Sequence, residues 1–273
     1  KKFFIITGLA LALVLAPLIW MHETEGGDYR LKTLGLEKRK NSTKCHGTSS
    51  MIVAAKPCAK PYPEATKEVL LIGDSHAKEL DYYVHMWAHK NESNFWQTSM
   101  GGCLQFTGIH RGAPKRGNCT KYGNYPDNLK KWISENPDYK DERTILWLGR
   151  LQFHLEGWFD NKEGGKEPDN WDFHPMQSKD HRPVPQVIKE NFEFWASQTK
   201  TLIIVYPIPE VGVDTAAFYM QQLKFHRHIK DMTPLSTRLA VYKQRTKASF
   251  QILDSVEGDN IIRIYPHKIF CSE

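Results

Sequence analysis

Two rhythms of hydrophobic and polar positions alternate along most of the chain. Short apolar runs at residues 69–72, 95–99, 144–148, 201–206 and 260–265 read as strands. Between the first two, Ala77, Leu80, Val84 and Trp87 recur at helical spacing. Leu129, Trp132 and Ile133 mark a shorter helix after Asp127, and residues 187–195 mark another. A fourth helix is expected from Thr233 as N-cap with Pro234 at the first helical position, its stripe running through Leu235, Leu239, Tyr242 and Phe250. Strand and helix in alternation predict an α/β domain with a parallel sheet covered on both faces, because each parallel crossover needs an element long enough to span it. Such sheets bind ligands at the carboxyl ends of their strands.

Two stretches depart from this rhythm. Residues 3–20 read FFIITGLALALVLAPLIW, uncharged and close to the ~20 residues that cross a bilayer as a helix. Lys1 and Lys2 precede the run, which predicts a cytoplasmic amino end and places everything beyond Met21 outside. A signal peptide shares the basic start and apolar centre; either reading exports the rest. Residues 1–21 are therefore read as a transmembrane helix, 22–67 as a polar extracytoplasmic linker or collar, and 68–273 as the folded domain. The second departure is residues 151–185, with Trp158, Trp171, Phe173, three histidines and Gly164-Gly165. A long segment of this kind is either a substrate-facing lid or a solvated insertion.

Composition narrows the class. A chain of 273 residues with 40% hydrophobic positions suits one domain plus attachments. Its net charge of +6, from 37 basic and 31 acidic residues, is too thin for a nucleic-acid footprint. The five cysteines fit an exported protein. By spacing, Cys45 pairs with Cys58 and Cys103 with Cys119, each closing a loop near the ~15-residue case worth about 3 kcal/mol; reduced, buried cysteines are the alternative. Cys271 is left unpaired. No Cys or His spacing suggests zinc, and His85 with His89, like His226 with His228, reads as part of a solvated face.

The chemistry concentrates where the first strand ends in Gly73-Asp74-Ser75-His76 and turns into a helix. Gly73 permits a sharp turn. A serine at the helix amino end has backbone N–H groups and a positive dipole beside it, suited to the oxyanion formed when a serine attacks an ester carbonyl. The bland alternative is a serine that merely caps the helix, with Asp74 completing the turn.

On these residues the chain resembles the SGNH (GDSL-type) hydrolases, in particular the exported SGNH domain fused to acyltransferase-3 membrane proteins. The likeness rests on Gly73 to His76, the pairs Cys45/Cys58 and Cys103/Cys119, the turn Tyr206-Pro207-Ile208-Pro209, and the run at residues 3–20. It implies a three-layer flavodoxin-like fold with a five-stranded parallel sheet, outside the cytoplasmic membrane and joined to an acyltransferase-3 transmembrane domain of the same chain. It also implies O-acetylation of a bacterial surface polysaccharide such as lipopolysaccharide. Acetyl-CoA would be the upstream acyl donor, Ser75 the acyl-carrying nucleophile, and no cofactor or metal would be bound by this domain. An exported carbohydrate esterase or a non-catalytic glycan-binding module are the alternatives.

Two departures from that family's pattern stand in the sequence. The third block's Gly-x-Asn-Asp is replaced by Gly149-Arg150-Leu151, so a backbone N–H or Arg150 is expected to replace the Asn as oxyanion donor. Gly101 or Gly102 is expected to supply the second-block glycine. The family's final Asp-x-x-His is absent: Ile264 stands three positions before His267, which reads as a surface or loop residue. Lys1 in place of Met and the odd Cys271 lead to the expectation of a chain truncated at both ends, inactive without its base.

Overall fold

A computed structural model of the protein describes residues 62, 64–111, 125–157, 160–161, 165–166, 176–211, 215–223 and 235–271. The transmembrane and linker expectations for residues 1–61, and Cys45, Cys58, Cys119, His226 and His228, lie outside the described residues. Among the described residues no helix is long and apolar enough to cross a membrane. The chain divides into two compact units, residues 42–215 with 235–273 and residues 1–41 with 216–234. The larger unit holds the main sheet; of the smaller, residues 216–223 are described and form most of the helix Thr215–Leu223.

The five expected strands all form: β1 (Glu68–Gly73), β2 (Asn94–Ser99), β3 (Arg143–Leu148), β4 (Thr201–Val205) and β5 (Ile261–Ile264). They make one parallel sheet in the order β2-β1-β3-β4-β5. This is the doubly wound, flavodoxin-like arrangement, whose winding reverses between β1 and β3 and opens a crevice at their carboxyl ends. The helices of the larger unit are α1 (Ser75–Lys90), α2 (Tyr125–Glu135), α3 (Leu151–Glu156), α4 (Val184–Ser197), then α5 (Leu239–Arg245), α6 (Lys247–Asp254) and α7 (His267–Phe270).

Side-chain alternation along the strands makes the layers. On one face Val69, Leu71, Phe95, Leu146, Leu148 and Val205 pack with Ala77, Val84 and Ala88 of α1. On the other, Leu70, Ile72, Ile145, Trp147, Leu202 and Ile204 meet Leu129, Trp132 and Ile133 of α2, Phe192 and Trp195 of α4, and Ile252 and Leu253 of α6. Phe106, Trp147, Phe192 and Trp195 pack ring against ring in this second core, with centroids 4.9 to 6.1 Å apart. At the opposite rim from the strand tips of interest, Arg143 is completely buried and pairs with Glu68. Its guanidinium also donates to the carbonyls of Gln198 at 3.1 Å and Asn136 at 2.9 Å, which satisfies a charge that would otherwise be costly to bury.

Two expectations change. The helix expected from Thr233 begins at Leu239, after extended backbone at Arg238, and stops at Thr246 before α6 restarts. The Thr246 N–H still donates to the Tyr242 carbonyl at 3.0 Å and its Oγ1 reaches the same carbonyl at 2.8 Å, so the one apolar stripe runs across the junction of two successive helices. The segment 151–185 is not wholly a lid: its first residues form α3, with Leu151, Phe153 and His154 buried, and Met176–Ser178 pairs antiparallel with Ile109–Arg111. Trp158, Trp171 and Phe173 lie outside the described residues.

Candidate functional site

Gly73, Asp74 and Ser75 stand at the carboxyl end of β1, Gly101 and Gly102 in the turn after β2, and Gly149 directly after β3. The expected site residues therefore gather along one rim of the sheet, beside the crevice where the winding reverses. The Gly73 carbonyl accepts from the Met100 N–H at 3.3 Å, which ties the ends of β1 and β2. Gly73 itself faces Leu148 across the register, so closely that a Cβ added to it would lie 1.7 Å from the Leu148 carbonyl oxygen. Gly149 is also confined, since an added Cβ would sit 2.9 Å from Leu104 and 3.0 Å from Trp147. Gly101, by contrast, has open space.

Ser75 is the first residue of α1 and is exposed, while Gly73, Asp74 and Ala77 around it are buried. The capping residue is Asp74. Its Oδ1 accepts from the His76 N–H at 2.8 Å, so the serine hydroxyl is not used as the helix cap. Asp74 is a hub with a wider reach. Its Oδ2 accepts from the Arg150 main-chain N–H at 2.8 Å and lies 3.5 Å from His154 Nε2, and its Oδ1 lies 3.3 Å from His76 Nδ1. One carboxylate thus joins the loop after β1 to the loop after β3 and to α3.

Electrostatics follow from this packing. Burial would raise the Asp74 pKa, but the hydrogen bonds and charges of His154 and His76 overcome it and hold the carboxyl well below the usual range. Burial would lower the His76 pKa, and Asp74 reverses that, leaving it raised. The signs are opposite in their effect on stability. The Asp74 contribution is complete above the unfolded value near pH 3.9 and is lost as pH falls towards the depressed one. The His76 contribution is complete below about pH 6.5 and is lost as pH rises through the raised value.

Asp74→Asn should therefore destabilise the domain by about 3 kcal/mol at pH 6. An amide has a single oxygen, and two main-chain N–H groups claim the two carboxylate oxygens, so one N–H must face an NH2. Urea denaturation at pH 3, 6 and 8 checks this: the gap between wild type and variant should narrow at pH 3, where the wild-type carboxylate loses its advantage. A gap below about 0.5 kcal/mol at pH 6 would contradict the hub.

Residues that the sequence did not single out complete the rim. Glu210, after the Tyr206-Pro207-Ile208-Pro209 turn that follows β4, pairs with both Arg150 and Arg245. Arg245 also donates to the Gly157 carbonyl at 2.9 Å. The Arg150 guanidinium, expected as an oxyanion donor, is engaged with Glu210 and lies over the Phe153 ring; its main-chain N–H is what meets the Asp-Ser motif. His154 gave no signal beyond membership of a histidine-bearing segment, because its place under Asp74 depends on α3 folding back beneath the β1 loop.

The remaining candidates lie apart from this cluster. His267 opens α7 half-buried among Tyr242, Phe250 and Tyr265, with Nδ1 3.4 Å from the Tyr242 hydroxyl, so it is a packed helical residue where a surface or loop residue was expected. The His85 ring lies against Phe95 at 5.4 Å, and no group of metal-binding side chains occurs among the described residues. Cys103 is buried. The expected partner, Cys119, lies outside the described residues, and Cys271 is free and half-buried.

The family model described as the SGNH domain (fused to AT3 domains) matches residues 44–273. No curated protein sequence matches the chain significantly. Among solved structures, the chain is similar to the Salmonella ser. Paratyphi A lipopolysaccharide acetyltransferase periplasmic domain, with 14% identity and a TM-score of 0.45 over 93% of this chain and 80% of that one.

Proposed function

The chain belongs to the SGNH domains that are fused to AT3 domains, and from that membership we propose that it is an O-acyltransferase with Ser75 as its nucleophile. In the first half-reaction Ser75 Oγ attacks an activated acyl carbonyl. The Oγ–acyl bond forms, the bond from the acyl carbon to the donor's leaving group breaks, and the serine proton passes to a base. In the second, a sugar hydroxyl attacks the serine ester, a new sugar ester forms, and Ser75 regains its proton. The acyl group is acetyl, derived from acetyl-CoA and delivered through an AT3 membrane partner, and the acceptor is an extracytoplasmic polysaccharide. Ping-pong chemistry of this kind needs one hydroxyl open in turn to donor and acceptor.

One observation carries the proposal: Ser75 is exposed beside buried Gly73 and Asp74 at the winding reversal, and the cap that a serine commonly supplies there comes from Asp74. The hydroxyl is thereby left for chemistry. The amino end of α1 offers a favourable dipole for the developing oxyanion. Glu210 and its two arginines support the loop ends after β3 and β4, and so the shape of the rim.

The test is acyl capture. After incubation with p-nitrophenyl acetate, peptide mapping by mass spectrometry should place one acetyl group on the Ser75 peptide, and addition of an oligosaccharide acceptor should discharge it to a sugar ester. Acetyl found on lysines alone would remove Ser75 from the mechanism; discharge to water with and without acceptor would make the protein an esterase.

A further inference from the structure

Acyl transfer through Ser75 calls for hydrogen-bond donors where negative charge develops on the acyl oxygen. Several donors beside Ser75 are already committed. The His76 N–H donates to Asp74 Oδ1 at 2.8 Å and the Arg150 N–H to Asp74 Oδ2 at 2.8 Å. The Arg150 guanidinium pairs with Glu210 and lies over the Phe153 ring. The imidazole of His76 stands differently. Its Nδ1 is fully buried and lies 3.3 Å from Asp74 Oδ1, yet the side chain as a whole keeps 31% of its surface exposed. Nε2 has no hydrogen-bond partner among the described residues, so the open edge of the ring carries an available nitrogen.

Ser75 and His76 open α1 as consecutive residues, with Cα atoms ~3.8 Å apart, which brings an acyl group on Ser75 Oγ beside the ring. The charges that face the ring come from three loops, from α3 and from α1 itself. Burial, Arg150 after β3 and the amino-end dipole of α1 oppose a second proton on the imidazole. Asp74 after β1 and Glu210 after β4 favour it, and Asp74, in direct contact, tips the balance. His154 of α3, 3.5 Å from Asp74 Oδ2 on the other side of the carboxylate, helps to keep Asp74 ionised. A ring with Nδ1–H against that carboxylate and a second proton on Nε2 presents a charged donor at its open edge.

We propose that His76, held as an imidazolium by Asp74, donates its Nε2–H to the carbonyl oxygen of the acyl group that Ser75 receives and passes on. The inference rests on the acyl-transfer reading and deepens it by naming the side chain that meets the oxyanion. When a nucleophile adds to the acyl carbon, the carbonyl π pair moves onto oxygen and the bond from Nε2–H strengthens. When the tetrahedral intermediate collapses, the pair returns and the bond to the leaving oxygen breaks. His76 keeps its proton throughout, and the same donor serves both half-reactions.

The test compares acetylation of Ser75 in the full chain by p-nitrophenyl acetate for wild type, His76→Gln and His76→Phe. Glutamine places an amide N–H near the position of Nε2, whereas phenylalanine keeps a ring without a donor. His76→Phe should acetylate about a hundredfold more slowly, and His76→Gln should stay within about tenfold of wild type. The ratio of the wild-type rate to the His76→Gln rate, in which the titration of other groups cancels, should be level below about pH 6.5 and fall as pH rises through the raised His76 value. Equal rates for wild type and His76→Phe overturn the proposal. So does a ratio that climbs with pH, which would make the neutral ring a proton acceptor; this readout stands even if His76→Phe fails to fold. Wild type that leaves Ser75 unacetylated would remove the acyl-transfer reading and the donor together, whereas the first two outcomes remove the donor alone.

Discussion

Replacing Ser75 by Ala should abolish acetyl capture and cut acyl transfer to an acceptor by about a thousandfold or more, with no measurable loss of stability. The activity loss is of the size seen when a nucleophile acting in concert with its partners is removed. The unchanged stability is the sharper half of the expectation. Removal of a serine that caps a helix costs about 1 kcal/mol, but here the cap is Asp74 and Ser75 is exposed. Its hydroxyl should contribute within about 0.5 kcal/mol of nothing to the folded state. Urea denaturation alongside the transfer assay separates the possibilities. A variant that transfers as fast as wild type eliminates the nucleophile, and one that retains its chemistry but loses a cap-sized increment of stability makes Ser75 a structural residue.

Gly73→Ala should do the reverse, destroying the fold and activity together. The added methyl would be 1.7 Å from the Leu148 carbonyl oxygen and 2.7 Å from Ala77 Cβ. Neither obstacle is the end of a flexible side chain. Leu148 belongs to the neighbouring strand at matching register and Ala77 to the first turn of α1, so accommodation means parting β1 from β3 or lifting the helix. A cost above about 4 kcal/mol is expected, which for a domain stable by roughly 5–15 kcal/mol leaves little native protein. Far-ultraviolet circular dichroism and the urea midpoint measure it. A shift of less than about 1 kcal/mol would mean that the strand tips are not apposed as described.

The sheet was legible in the sequence because its inner strands are buried on both faces and therefore read as short apolar runs, as Val69 to Ile72 and Thr144 to Leu148 do, while the edge strand β5 keeps an apolar run although Ile262 and Ile264 are exposed. The nucleophile's turn was legible because glycine, an acidic cap and a serine follow such a run directly. The partners of Asp74 were not. His154 and the Arg150 N–H lie far along the chain from it, and no local periodicity encodes a contact made only when the β3 loop closes on the β1 loop. Glu210 was missed for the same reason: its neighbour in sequence is a proline-rich turn, while its neighbours in space are Arg150 and Arg245. The stripe from Leu235 to Phe250 misled because an apolar spacing is kept both through the extended backbone before Leu239 and across the junction of the two helices at Thr246.

The link between Asp74 and position 150 runs through the peptide group of Arg150 and not through its guanidinium. Any residue but proline offers that peptide N–H. The letter at 150 is therefore free to drift, as far as this bond is concerned, while the spacing is not: one residue inserted or deleted between Leu148 and Leu151 would carry the donor away from its acceptor. Related chains should accordingly tolerate varied chemistry at this place but a fixed loop length.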